Sequence, residues 1–183
     1  WGMGIASRDL TGDGYPEVFI TSQGDNKLQT LADGPEHPTY EDVALARGVT
    51  AQRPAVGGDV LPSTAWHPEF EDVNNDGFVD LFVTKGNVEA QVDYASRDPS
   101  DLFLGRADGT FAQAAPPTEF EWSSAIAAGD LNADGKLDLV ATAVDYAGDS
   151  YVNVMLGHGD GTFASSSSGP YSGGFYSLAL AED

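Results

Sequence analysis

The sequence contains no cysteine, which excludes disulfide staples, thiolate metal sites and cysteine nucleophiles. Basic residues are scarce: 8 Lys and Arg stand against 29 Asp and Glu, a formal net charge of −21. A surface of that sign repels polyphosphates and anionic headgroups, so no nucleic-acid partner is expected. No run of about 18 apolar residues occurs, so no membrane span is expected in this segment. No signal-peptide pattern is visible either. Trp1 already falls inside a repeat unit, and the expectation is that any targeting segment belongs upstream.

What is present argues for many short elements. Glycine (22) and proline (10) interrupt the 183 residues often, which disfavours long helices. Hydrophobic residues make up 41% and aromatics 10%, enough for a real core. A strongly acidic chain is often disordered. Here the acids recur at fixed spacings beside apolar runs, which points to folded loops.

Internal repeats organise the chain. Three nine-residue segments align without gaps: Asp9-Leu-Thr-Gly-Asp-Gly-Tyr-Pro-Glu17, Asp72-Val-Asn-Asn-Asp-Gly-Phe-Val-Asp80 and Asp130-Leu-Asn-Ala-Asp-Gly-Lys-Leu-Asp138. Asp183, preceded by an apolar run like that before Asp130, matches the first position of a fourth. A second motif repeats in phase: Leu104-Gly-Arg-Ala-Asp-Gly-Thr-Phe111 matches Leu156-Gly-His-Gly-Asp-Gly-Thr-Phe163, with a degenerate copy at Leu31–Gly34 and Tyr40. Asp-Gly between short apolar runs signals a hairpin.

Each unit then reads as four short strands. The first precedes the acidic loop, as in 124–128. The second follows it at Val18–Thr21, Leu81–Thr84 and Leu139–Thr142. The third covers Lys27–Leu31, Asp101–Leu104 and Tyr151–Leu156, and the fourth begins at Thr39, Thr110 and Thr162. Units of about 60 residues with four strands fit β-propeller blades, with a sandwich or β-solenoid as the competing architecture. The expected organisation is all-β, a single partial propeller domain over 1–183. Its units lie at about 1–48, 64–116 and 121–168, with 174–183 starting the next blade.

The acidic loops have the chemistry of a calcium site. Calcium takes six to eight oxygen ligands, and a tight loop with oxygens at positions 1, 3, 5 and 9 plus the carbonyl of position 7 supplies five. In unit two these are Asp72, Asn74, Asp76, the Phe78 carbonyl and Asp80. In unit three they are Asp130, Asn132, Asp134, the Lys136 carbonyl and Asp138. In unit one they are Asp9, Thr11, Asp13, the Tyr15 carbonyl and Glu17. A hydroxyl at Thr11 is a poorer ligand, so the first site is expected to be the weakest. Glycine at position 6 (Gly14, Gly77, Gly135) suits the sharp turn. An EF-hand needs Glu at position 12, but those positions hold Ile20, Val83 and Ala141. Such a loop also occurs as a metal-free turn. Three in register with a second repeated motif favour about three Ca²⁺ ions of structural purpose, one per complete unit, over magnesium.

At these residues the chain resembles the FG-GAP/VCBS repeat family, the calcium-loop blades also found in integrin α-chain propellers. Met3–Ile20, Trp66–Val83 and Arg97–Phe111 also resemble bacterial relatives of the cartilage acidic protein family, and Val152–Phe163 resembles generic VCBS repeats. The resemblance implies a propeller, often seven-bladed, with calcium in the strand one–two loops. It also implies a secreted or surface binding module: extracellular, at the cell surface or periplasmic.

Up-and-down strands place the acidic loops and the Asp-Gly turns on one face. The long insertions Gly48–Ala65 and Gly86–Ser100 then fall on the other, where loops carry binding most often. Trp1, Trp66, Trp122 and Phe175 stand just before acidic loops. Packing between blades is favoured for them over stacking on sugar rings. Trp66, His67 and Trp122 are the weak ligand-binding candidates. No nucleophile arrangement is indicated, so the chain is not expected to be an enzyme. The expected partners are an unidentified protein or carbohydrate ligand and the remaining blades of the same propeller. The alternatives are an accessory propeller of a secreted polysaccharide-acting enzyme, whose catalytic carboxylates would lie near His67 and Glu69 or Asp93 and Asp98, or a structural component of a surface assembly.

Overall fold

The computed structural model describes residues 2–50, 64–86, 99–114, 123–144, 147 and 149–172. Their strands form three four-stranded antiparallel meanders in chain order. Blade 1 holds β1 (Gly2–Arg8), β2 (Glu17–Ser22), β3 (Lys27–Leu31) and β4 (Tyr40–Asp42). Blade 2 holds β5 (Ala65–Glu71), β6 (Asp80–Lys85), β7 (Asp101–Gly105) and β8 (Phe111–Gln113). Blade 3 holds β9 (Ser123–Gly129), β10 (Asp138–Val144), β11 (Asp149–Gly157) and β12 (Phe163–Ser172). These are propeller blades, and the sandwich alternative is not what the chain builds.

Sheets stack face to face because each strand alternates sides. Phe19 and Leu28 of blade 1 meet Leu81, Val83 and Phe103 of blade 2 in one core. The Phe19 and Phe70 rings meet edge to face, 6.2 Å between centroids. Phe82 and Leu102, on the other side of blade 2, meet Leu139, Ala141 and Met155 of blade 3 in a second core. Blade 2 is thus covered on both sides. Its β6, Asp80-Leu-Phe-Val-Thr-Lys, is buried at every position, whereas β2 alternates buried and half-buried.

Each first strand carries an irregularity against its neighbour: between Gly2 and Ile5, between Ala65 and Pro68, and opposite Thr142 and Ala143. A threonine serves the bulge in blades 1 and 2. The Thr21 hydroxyl accepts from the Gly4 amide at 2.7 Å and donates to the Trp66 carbonyl of the next blade at 2.5 Å. Thr84 accepts from the His67 amide at 2.8 Å. Bulges re-aim a strand, and here the first also ties β1 to β5.

One element was not expected from the sequence. A single helical turn, α1 (Ala44–Arg47), follows β4 and ends at Gly48 in the left-handed conformation. Its Ala44, with Val49 just beyond, enters the core between blades 1 and 2. Arg47 donates from Nη1 to the Gly109 carbonyl of blade 2 at 2.6 Å.

Candidate metal centre

The three acidic loops connect first to second strands: β1 to β2, β5 to β6 and β9 to β10. The loops of blades 2 and 3 fold alike. Asp72 accepts from the amides of Asp76 (3.1 Å) and Gly77 (2.9 Å). Asn74 Oδ1 accepts from the same Asp76 amide at 3.1 Å, and Asn74 Nδ2 donates to Asp76 Oδ2 at 2.9 Å. Asp76 Oδ1 in turn accepts from the Phe78 amide at 2.9 Å. In blade 3, Asp130, Asn132, Asp134 and Lys136 repeat the set at 2.8–3.2 Å. Because positions 1 and 3 share one N–H, their oxygens lie side by side, with position 5 closing the group.

The backbone explains how the turn is made. Position 6 has φ of +87° at Gly14 and Gly77 and +80° at Gly135. Position 4 is left-handed too, at Gly12, Asn75 (+57°) and Ala133 (+61°). Glycine occupies position 6 in all three loops but position 4 only in the first. Gly12 and Asn75 were the available signal, since Gly and Asn adopt this region readily. Ala133 concealed it, and holding alanine there costs about 1–2 kcal/mol.

Blade 1 departs at position 3, as its sequence suggested. Asp9 accepts from Gly12 (2.7 Å) and Gly14 (2.9 Å), and Asp13 accepts from Tyr15 (2.8 Å). Thr11 offers no amide group to share a donor in the manner of Asn74. The loop amides, Gly14's first, hold the exposed Asp9 carboxyl below the usual carboxylate range.

Position 9 does something the sequence did not reveal. Asp80 and Asp138 are 1% and 0% exposed, and Glu17 is 3% exposed. Both oxygens of each carboxylate are engaged. Asp80 accepts from the Val73 amide at 3.0 Å and the Gly105 amide at 2.8 Å. Asp138 accepts from Leu131 and Gly157, both at 2.8 Å. Glu17 accepts from the Leu10 amide at 2.7 Å and the Thr30 hydroxyl at 2.8 Å. The residue latches its own loop to the third strand of its blade. Burial pushes the Asp80 carboxyl up to about 6, against the pull of the two amides and with a further push from Asp76 and Asp72. Gly105 and Gly157 must be glycine, because a Cβ there would collide with the Val79 or Leu137 carbonyl oxygen.

Among the described residues no three acidic or histidine side chains gather as a ready metal cage. The loop chemistry accounts for this. Position 3 is an amide or a hydroxyl, and position 9 is turned onto donors inside its own blade. The oxygen-only donor set at positions 1, 3 and 5, converging on a tight turn, still fits a hard cation such as calcium.

The Asp-Gly turns join third to fourth strands on the same face as the acidic loops. Asp9 and Leu10 line one cleft with Gly77, Phe78 and Val79 of the blade 2 loop and with Gly105, Arg106, Gly109, Thr110 and Phe111. Asp108 accepts from the Thr110 hydroxyl (2.6 Å) and amide (2.9 Å), and Asp160 from those of Thr162 (2.5 and 2.9 Å). These bonds explain the Asp-Gly-Thr repeat, and they hold both carboxyls below their ordinary value.

Trp66 is half-buried, and its indole N–H donates to the Gly86 carbonyl at 2.6 Å. His67 Nε2 lies 3.6 Å from Glu69. Trp1, Trp122, Phe175, Asp183, Asp93, Asp98 and most of both long insertions lie outside the described residues.

No curated protein sequence matches the chain. The model of the FG-GAP-like repeat matches it twice, over residues 9–83 and 72–141, so each match runs from one acidic loop into the second strand of the following blade. With that span covered and three four-stranded blades in register, the chain belongs to the FG-GAP-like repeat family.

Proposed function

We propose that the chain is a calcium-stabilised, non-catalytic propeller segment of a binding or adhesion module that works outside the cytosol on a protein or glycan ligand. The observation that carries this reading is the identical folding of the loops of blades 2 and 3, where oxygens of positions 1, 3 and 5 converge on one turn. Asp72, Asn74 and Asp76 would hold one ion, and Asp130, Asn132 and Asp134 another, with the carbonyls of Phe78 and Lys136 adding to each set and Asp80 and Asp138 completing it through the lone pairs that their amide bonds leave free. Asp9, Thr11, Asp13, Tyr15 and Glu17 form the weaker third. The ion offsets repulsion between clustered carboxylates, so binding is coupled to folding.

Further blades of the same repeat are proposed partners. Leu81 and Val83 of blade 2 are fully buried by blade 1. The strand register places Val18 and Ile20 of blade 1 at the same positions, and they are only half-buried, with Ile5 opposite Ile20 67% exposed. That exposed apolar face supports the stacking of a further blade there.

Calorimetric titration tests the ion. Two calcium sites tighter than a third are expected, with magnesium binding far more weakly. Asp72→Asn with Asp76→Asn should remove one of the tight sites. Absence of calcium uptake by a folded chain would refute the reading.

A further inference from the structure

The acidic loop of one blade lies against the Asp-Gly turn of the next. In blade 3 the turn runs from Gly157 to Phe163. A Cβ built on Gly161 would lie 3.6 Å from the Asn74 Cβ and 3.5 Å from Leu104 of blade 2. One built on Gly159 would lie 3.4 Å from the side-chain Nδ2 of Asn75, and 3.3 Å from Lys136 of its own blade. The preceding junction has the same layout: Asp9 and Leu10 of the blade 1 loop line a cleft with Gly105, Arg106, Gly109 and Thr110 of the blade 2 turn. Each turn therefore sits between the second half of its own loop and the first half of the loop before it.

Asn74 and Asn75 are positions 3 and 4 of the blade 2 loop. Position 3 is a candidate ligand, and position 4 is the left-handed residue that sets the curl. An ion drawing positions 1, 3 and 5 together fixes the surface against which the neighbouring turn rests. The latch at position 9 carries the link onward, since Asp138 holds Gly157, the first residue of that same turn.

Resting on the calcium reading above, we infer that ion occupancy of each acidic loop controls the docking of the following blade's Asp-Gly turn, so that the ions set blade-to-blade attachment as well as the loops themselves. Solenoid and propeller repeats gain cooperativity through nearest-neighbour interfaces. Here that interface would be switched by a cation at one edge.

Hydrogen exchange on the whole chain, with chelator or with millimolar calcium, tests this. In the unmodified protein, amides of the turn at 158–162 should exchange about tenfold more slowly with calcium. The blade 2 loop variant, Asp72→Asn with Asp76→Asn, should lose that protection. The blade 3 loop variant, Asp130→Asn with Asp134→Asn, should keep most of it. The reverse ranking, with the turn following its own loop, would overturn the inference while leaving calcium binding intact. Failure of the unmodified chain to take up calcium in parallel calorimetry would overturn the underlying reading, and the inference with it.

Discussion

Lys85→Ala should destabilise the protein by about 3–5 kcal/mol, measured by denaturant unfolding in water. Lys85 ends β6 and Asp101 opens β7, and Lys85 Nζ stands 3.0 Å from Asp101 Oδ1 with the two side chains 1% and 4% exposed. Gln113 Nε2 donates to the same Asp101 oxygen at 2.9 Å. Truncating the lysine removes the cation while the carboxylate stays in a region of low dielectric, where an uncompensated charge is far more expensive than in water. Removing the charge from both partners should recover much of the loss. Lys85→Met with Asp101→Asn keeps an oxygen for Gln113 and leaves no buried ion, since a buried pair is worth little relative to neutral packing. A single-variant loss below about 1 kcal/mol, the range of an exposed pair, would contradict the assignment.

Asp138→Ala should cost about 2–5 kcal/mol even in chelator, with no ion present. The substitution strands the Leu131 and Gly157 amides, both now bonded at 2.8 Å to a carboxylate with no exposure. Each buried donor left unmet costs about 1–3 kcal/mol. The contrast is Asp134→Asn, at an exposed position of the same loop. With chelator present it should shift stability by no more than about 0.5 kcal/mol. It should nevertheless remove the calcium-dependent part of blade 3's stability. If both variants behaved alike in chelator, position 9 would have no latch role separate from the ion.

Much of the fold was legible because the repeats carry local signals. Asp-Gly marked the turns, and the apolar runs after each acidic loop marked the second strands to within one or two residues. Val18–Thr21 became Glu17–Ser22, and Leu139–Thr142 became Asp138–Val144. Positions 1, 3 and 5 were legible as a group, and the structure brings them together in blades 2 and 3. What escaped the sequence depends on distant partners. Asp80 reads as one more acid in a loop until Gly105, 25 residues away, is seen to hold it. Lys85 reads as a polar strand end until Asp101 appears beside it. The helical turn at Ala44–Arg47 was missed for another reason. It is too short to show a period, and only Arg47 followed by Gly48 announced its end. The bond from the Trp66 indole to the Gly86 carbonyl likewise depends on a partner 20 residues away.

The central claim, that these loops fold around calcium, is tested most directly by a thermal melt of the whole chain in excess chelator, repeated in millimolar calcium and in millimolar magnesium. A ligand that binds only the folded state raises the midpoint, by about 2.7 kcal/mol of stability at a hundredfold excess over Kd for each site. A large rise in calcium and little in magnesium is expected. A cooperative transition at the same temperature in all three conditions would mean that the acidic loops are turns alone.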